Sequence, residues 1–263
     1  MNYKFIKCSN IINKITSKDN LFLGDYTVDP YQNCEFGCKY CDSTYDSTIY
    51  IKSNICELLD AELQNLKKGC IIVGSVHDPY QKIEEKEKIT RNVLKTIKKH
   101  GFSCHILTKS TLVIRDMDLI ADIDDSVVTI SMISSDKHIS DVFEKNAPSP
   151  KNRFETVEKL SKQGVKTGIA IMPVLPFLVE ENLQDVIKTA DKYKAQYVLH
   201  KHLELKGDQK NIFIDILKNF YPELVEKYVN LYKDSYMPDE KYIVELKNKI
   251  EKLSKQYNIK NRI

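Results

Sequence analysis

The octapeptide Cys34-Glu35-Phe36-Gly37-Cys38-Lys39-Tyr40-Cys41 holds three of the seven cysteines in a chain of 263 residues. Packing does not bunch thiols at a C-x3-C-x2-C spacing, whereas a shared metal or cluster does. Thiolates bind soft metals and iron–sulfur clusters, and one tight loop with three of them can hold three corners of a [4Fe–4S] cube. The fourth iron is then left without a protein ligand, and an open position of that kind lets a cluster bind a reactant as well as pass electrons. A zinc knuckle is the competing reading. It needs a fourth Cys or His at a short spacing, and the next candidates, Cys8 and Cys56, lie far along the chain.

A loop of this sort must be held by a scaffold, and from Gly24 onward short β-branched runs alternate with helical stretches. The first unit is a strand over 25–29, the cysteine loop and a helix from Ser53-Asn54 to Gly69, where Gly suits the left-handed position after a helix end. The second is Cys70 to Val76 with a helix from Glu84 to His100, closed by Gly101. The third is Phe102 to Thr108 with Leu112 to Asp122. The fourth is Val127 to Met132, a longer loop through Ala147-Pro148-Ser149-Pro150 and a helix from Asn152 to Gln163. The fifth is Val165 to Met172, a loop with Pro173 and Pro176 and a helix from Asn182 to Tyr193. The sixth is Tyr197 to Leu203, a loop at Lys206-Gly207-Asp208 and a helix from Lys210 to Phe220.

Six βα units with parallel crossovers predict an α/β fold, an incomplete (β/α)6 TIM-like barrel, with a doubly wound sheet as the alternative. Both gather ligands at the C-terminal ends of the strands. Residues 1–23 read as a polar lead-in, 24–222 as the core and 223–263 as a helical extension of the same domain, with helices over 222–232 and 238–257 covering the bottom or open side.

Composition sets the surroundings. There is no apolar run of about 18 residues, and Met1 to Cys8 is too polar for a signal peptide, so the expected setting is cytoplasmic and without a membrane partner. An odd number of cysteines with three bunched fits a reducing compartment. The formal charge of +3 neither demands nor excludes a nucleic-acid partner. The lysines of 82–88 and 95–99 fall at helical spacing or beside acids and read as solvated helix faces.

The strand ends carry polar residues: Gly74 to Gln81 after the second strand, Thr108-Lys109-Ser110 after the third, Ser131 on the fourth, Pro173 after the fifth, His202 and Glu204 after the sixth. Turns and caps explain any one of them. Together on one rim they describe a site.

With Tyr40 in the aromatic place, the cysteine loop resembles the C-x3-C-x-aromatic-C loop of the radical S-adenosylmethionine (SAM) superfamily. Thr27 to Cys34, Asp78 to Glu84 with Ile89-Thr90-Arg91, Leu107 to Ser110, Val113 to Asp116, Ile130-Ser131, and Ala147-Pro148 with Arg153 resemble its spore photoproduct lyase-like branch. The resemblance implies a [4Fe–4S] cluster on Cys34, Cys38 and Cys41, with SAM on the open iron. Reductive cleavage of SAM then yields a 5′-deoxyadenosyl radical that abstracts hydrogen from a substrate. It also implies SAM contacts from Tyr40, from Ser75, His77 and Asp78 near the amino group, from Lys109 at the carboxylate and from Ser131. An ammonium wants carboxylate or backbone acceptors and a carboxylate wants a Lys. The implied electron donor is a flavodoxin or ferredoxin, and the expected state is a monomer.

Two positions depart from the branch. Ser75 stands where the lyase has a hydrogen-donating cysteine, and Asp42 stands where Tyr is usual. Two other functions are weighed beside the radical enzyme: a nucleic-acid lyase, which would stack bases on Tyr45, Tyr50 or Tyr80, and a non-enzymatic, zinc-stabilised binding module.

Overall fold

The computed structural model describes residues 1–17, 21–41 and 47–263. Its strands are β1 (Asn2–Ile6), β2 (Asn13–Lys14), β3 (Tyr26–Val28), β4 (Tyr31–Gln32), β5 (Thr48–Lys52), β6 (Cys70–Val73), β7 (Ser103–Thr108), β8 (Val127–Met132), β9 (Lys166–Val174) and β10 (Val198–His202). Its helices are α1 (Ile55–Leu63), α2 (Glu84–Glu87), α3 (Ile89–Lys99), α4 (Met117–Ala121), α5 (Lys137–Phe143), α6 (Pro150–Lys162), α7 (Leu183–Lys192), α8 (Gln209–Phe220), α9 (Val225–Tyr232) and α10 (Glu240–Gln256).

The large sheet has the order β10-β9-β8-β7-β6-β3-β2. Six strands, β3 and β6 to β10, run parallel in chain order, and β2 adds antiparallel to β3 at one edge. A doubly wound sheet reverses its order at a switch point. This one never does, and it stops at β10 without closing, as an incomplete TIM-like barrel.

Strands buried on both faces read as unbroken apolar runs, and Val127–Met132 is buried along its whole length. Val128, Ile130, Ile169, Ile171 and Val198 belong to the main core. Their alternate neighbours Val127, Ala170 and Leu199, with Tyr197, form a separate cluster on the opposite face of the sheet. Leu21, Phe22 and Ile263 pack against that inner cluster, so segments near both ends of the chain fill the concave side. The outer helices show the expected stripes, such as Val93, Leu94 and Ile97 in α3 and Tyr242, Leu246, Ile250 and Leu253 in α10. The α10 helix lies on α7 and β10, and beyond it the Val198 N–H donates to the Lys260 carbonyl at 2.8 Å.

Several local expectations are corrected. The helix expected to run to Gly69 ends at Leu63. Gly69 serves close approach instead: a Cβ there would stand 2.4 Å from the Asp25 carboxylate, which accepts the Cys70 N–H at 2.9 Å. The helix expected over 84–100 breaks at Lys88, which takes φ 53°, because Glu84 turns its carboxylate onto the N–H groups of Thr90 and Arg91. The loop before Ala147 contains α5. A second sheet, β1-β5-β4, was not foreseen. Its strand β5 lies in the stretch read as cysteine loop, although Thr48-Ile49-Tyr50-Ile51 carries the β-branched and aromatic signal of a strand.

Candidate functional site

The cysteine loop leaves β4 and returns at β5, and those strands pair antiparallel through Tyr31 with Ile51 and Gln32 with Tyr50. The Asn33 amide adds a bond to the Thr48 carbonyl at 2.8 Å. Within the loop Gly37 takes φ 58° and the Cys41 N–H donates to the Cys38 carbonyl at 3.0 Å. Neighbouring elements then grip it. Gln81 accepts the Glu35 N–H and donates to the Asn33 carbonyl, each at 2.9 Å. The Glu35 carboxylate takes the Lys82 N–H and, at 3.0 Å, the Tyr3 hydroxyl. From the far side, the Lys39 N–H donates to the Phe143 carbonyl at 2.9 Å and the Asn146 amide to the Glu35 carbonyl at 3.2 Å.

Held this way, Cys34, Cys38, Tyr40 and Cys41 line one cavity together with Gly74, Ser75, Asp78, Lys109 and Ser131. Of the residues expected from the sequence, His77 is the one that does not line it. The turn carrying these residues is fixed by Asp29, whose carboxylate accepts the Ser75 hydroxyl at 2.7 Å and the N–H groups of Val76 and His77 at 3.0 and 3.3 Å. Gly74 lets the turn form: it takes φ 85°, and a Cβ would lie 2.4 Å from Pro79 Cδ and 2.8 Å from the Leu107 carbonyl. Asp78 accepts from the Thr108 hydroxyl at 2.7 Å, the Lys109 N–H at 2.7 Å and the Tyr80 N–H at 2.9 Å. Its carboxylate therefore ties the second strand end to the third, and burial raises its pKa despite those bonds.

The thiols fit a cationic cluster. Burial pushes Cys34 up to about 12, with the Asp78 charge adding to the rise, while N–H groups of Phe36 and Asp78 donate to its sulfur. Burial takes Cys38 up to about 11 against the pull of Lys109. Buried thiols give up their protons to a metal rather than to water, and N–H donors at sulfur tune a cluster's potential. Burial works against the charge of Lys109, but the anionic forms of Cys38, Glu144, Asp78 and Cys34 outweigh it and raise its pKa, so it stays an ammonium. Its Nζ lies 5.9 Å from the centre of the Tyr40 ring. Among the described residues no three His, Cys, Asp or Glu side chains converge as ligands of one ion. Cys8 lies by the start of α1, where its N–H meets Asn54, and Cys56 packs on the core from α1. Neither lines the cavity.

A second cavity adjoins the first through Tyr40, which lines both, and is completed by Met172, Pro173, Lys201, His202, Leu203 and Glu204. A β-bulge interrupts the β9–β10 register between His200 and His202, and bulges re-aim side chains beside sites. Among the described residues the buried Nε2 of His202 has no hydrogen-bond partner, and Glu204 sits 3.8 Å from it, held by Lys201 and Lys206 at 2.7 and 2.8 Å.

Sequence reasoning missed Glu144. It follows α5, accepts the Tyr40 hydroxyl and pairs with Arg153 at 2.6 Å, both side chains being wholly inaccessible. Arg153 also donates to the Ser131 carbonyl and the Ser140 hydroxyl, each at 3.0 Å. Nothing in its local sequence singles out one acid after Phe143, because its partners lie far away in the chain. Other motif residues build the scaffold. Ser110 caps the turn after Lys109 by accepting from Leu112. Arg115 joins Glu84 at 2.6 Å to Asp116 at 2.7 Å, and Arg91 meets Asp116 at 2.7 Å. Tyr80, expected as a stacking face, is 1% exposed and donates to Asp116, so it does not serve. Tyr50 is half-buried on β5. Tyr45 and Asp42 lie outside the described residues.

Comparison with known proteins follows the same lines. The model of the radical SAM superfamily matches residues 28–190. The uncharacterized protein MJ0683 of Methanocaldococcus jannaschii is 30% identical over 237 residues, 86% of each chain. The uncharacterized protein Rv2578c of Mycobacterium tuberculosis is 27% identical over 254 residues, 89% of this chain and 74% of that one. Among solved structures, a spore photoproduct lyase variant with bound AdoMet and dinucleoside spore photoproduct superposes with a TM-score of 0.71 at 13% identity, over 97% of this chain and 78% of that one. SuiB of Streptococcus suis bound to precursor peptide SuiA gives 0.55 at 14% identity, over 78% and 45%. At these identities the structures show a shared fold.

Proposed function

The chain belongs to the radical SAM superfamily, and on that premise we propose that Cys34, Cys38 and Cys41 hold a [4Fe–4S] cluster beside a SAM site and that the protein is a radical enzyme acting on an organic substrate. The observation that carries this reading is the single cavity shared by the three loop thiols, the Lys109 ammonium and the strand-end groups of Ser75, Asp78 and Ser131. Bound there, the cluster would supply the electron that cleaves SAM and so the adenosyl radical for hydrogen abstraction. The protein's own part is positional. Lys109 offers a cation to a carboxylate, and Asp78 and Asp29 fix the turns that shape the floor. The second cavity extends the site past Tyr40 toward the ends of β9 and β10. A low-potential one-electron donor is required.

The test is anaerobic reconstitution with iron and sulfide, then incubation with reductant and SAM. Broad visible absorption of an iron–sulfur cluster together with 5′-deoxyadenosine release is expected. A colourless protein with one zinc per chain sinks the reading.

Repair of spore photoproduct lies outside it. The Ser75 hydroxyl is bound to Asp29, and an O–H bond is far too strong to replace a thiol as hydrogen donor. Cys104 is buried in the main core, and Cys70 opens β6 at the end away from Gly74. We therefore expect SAM cleavage without clean repair of a spore photoproduct dinucleotide, measured by chromatography of the products. Efficient repair by the unaltered chain would refute this.

A further inference from the structure

Tyr40 stands between the two cavities, and its place is set by a chain of buried bonds rather than by the loop alone. Its hydroxyl donates to one oxygen of Glu144. The other oxygen is held by Arg153 at 2.6 Å, and the same guanidinium grips the Ser131 carbonyl, at the strand end that lines the first cavity, at 3.0 Å. The Lys39 N–H on the Phe143 carbonyl docks the loop one residue away on the same corner. Glu144 and Arg153 are each 0% exposed as side chains. A buried ion pair of this kind is weak evidence for stability but a precise spacer, because two desolvated charges tolerate little displacement.

We propose that Glu144, clamped by Arg153, is a positioning residue that fixes the Tyr40 ring between the two cavities and in this way sets how tightly SAM is bound. The inference rests on the proposed function, since it concerns the same site. Glu144 lines neither cavity, and its carboxylate bonds Tyr40 and Arg153, so it acts through Tyr40. The charge of Arg153 keeps the carboxylate ionised against the burial that would otherwise raise its pKa, and hence keeps it an acceptor.

The experiment separates the acceptor from the charge. Glu144→Gln/Arg153→Met and Glu144→Leu/Arg153→Met each remove both charges, so neither leaves a lone buried ion. The first retains a carbonyl for the Tyr40 hydroxyl and the second does not. Iron and sulfide per chain, anaerobic SAM binding by equilibrium dialysis, and the paramagnetic resonance of the reduced cluster with and without SAM are read for both. Equal iron content is expected, with SAM bound about fivefold more weakly by the Leu variant, the scale of one neutral hydrogen bond, and a smaller SAM-induced change in its resonance. Tyr40→Phe in the unaltered background, which also takes the hydroxyl away from the Cys38 sulfur, should weaken SAM binding at least as much. Equal affinity in the Gln and Leu variants overturns the proposal while leaving the function standing. If the double variants do not fold, equal affinity of Tyr40→Phe and the parent overturns it. A parent that holds no cluster, or does not bind SAM, overturns both.

Discussion

Cys34, Cys38 and Cys41 differ from the other cysteines in what they line, and that difference predicts a clean split under substitution. Replacing any of the three with Ala should abolish the iron–sulfur absorption, whereas Cys8→Ala and Cys56→Ala should keep it. Loss of iron in Cys56→Ala alone would reverse the assignment. For Lys109 the expected loss is of ligand rather than cluster. A hydrogen bond to a charged group contributes about 1.5–3 kcal/mol, so Lys109→Met should weaken SAM binding roughly tenfold or more at unchanged iron content. Equal affinity removes Lys109 from the site. These residues were legible because their chemistry is local: a spacing of thiols, a Lys at a strand end. Ser75 and Asp78 were legible as places on the rim, but their hydrogen bonds to Asp29 and Lys109 depend on chain segments far apart, and Glu144 carried no local mark at all.

At the scale of elements, the alternation of strands and helices was readable and its interruptions were not. Runs such as Val127–Met132 announce themselves because parallel strands are buried on both faces. The break at Lys88 could not be foreseen, since it answers to the carboxylate of Glu84 and not to a Gly or Pro. Arginine use is telling in retrospect. The chain has four among its 40 basic residues, and three of them, Arg91, Arg115 and Arg153, hold wholly buried carboxylates, where a planar fork outperforms Lys. The turn after β6 gives a sharp prediction. Gly74→Ala would force a Cβ against Pro79 and the Leu107 carbonyl at a left-handed φ, so it should destabilise the protein by on the order of 3 kcal/mol. A denaturation midpoint unchanged in that variant would show that the turn yields without cost.

The molecule as a whole is a barrel left open, with β10 at its margin, and the histidines there tie stability to pH. Burial holds the His200 and His202 imidazoles below their ordinary value of 6.5. The unfolded chain takes up these protons near 6.5 and the folded chain only at lower pH. The stabilisation is therefore whole above 6.5 and is lost as pH falls through the folded values. The melting temperature should drop between about pH 7 and about pH 5, and His200→Gln/His202→Gln should flatten that slope. An unchanged slope would assign it to other groups. Among the described residues no helix is long and apolar enough to cross a membrane. The pairing of β4 with β5 has one more consequence, for what holds the cysteine loop shut. Tyr31, Gln32, Tyr50 and Ile51 join the two ends of the cysteine loop through main-chain pairing. The entropy of bringing its ends together is met by strand pairing, so a chain lacking one of the three cysteines should still unfold as a single cooperative unit.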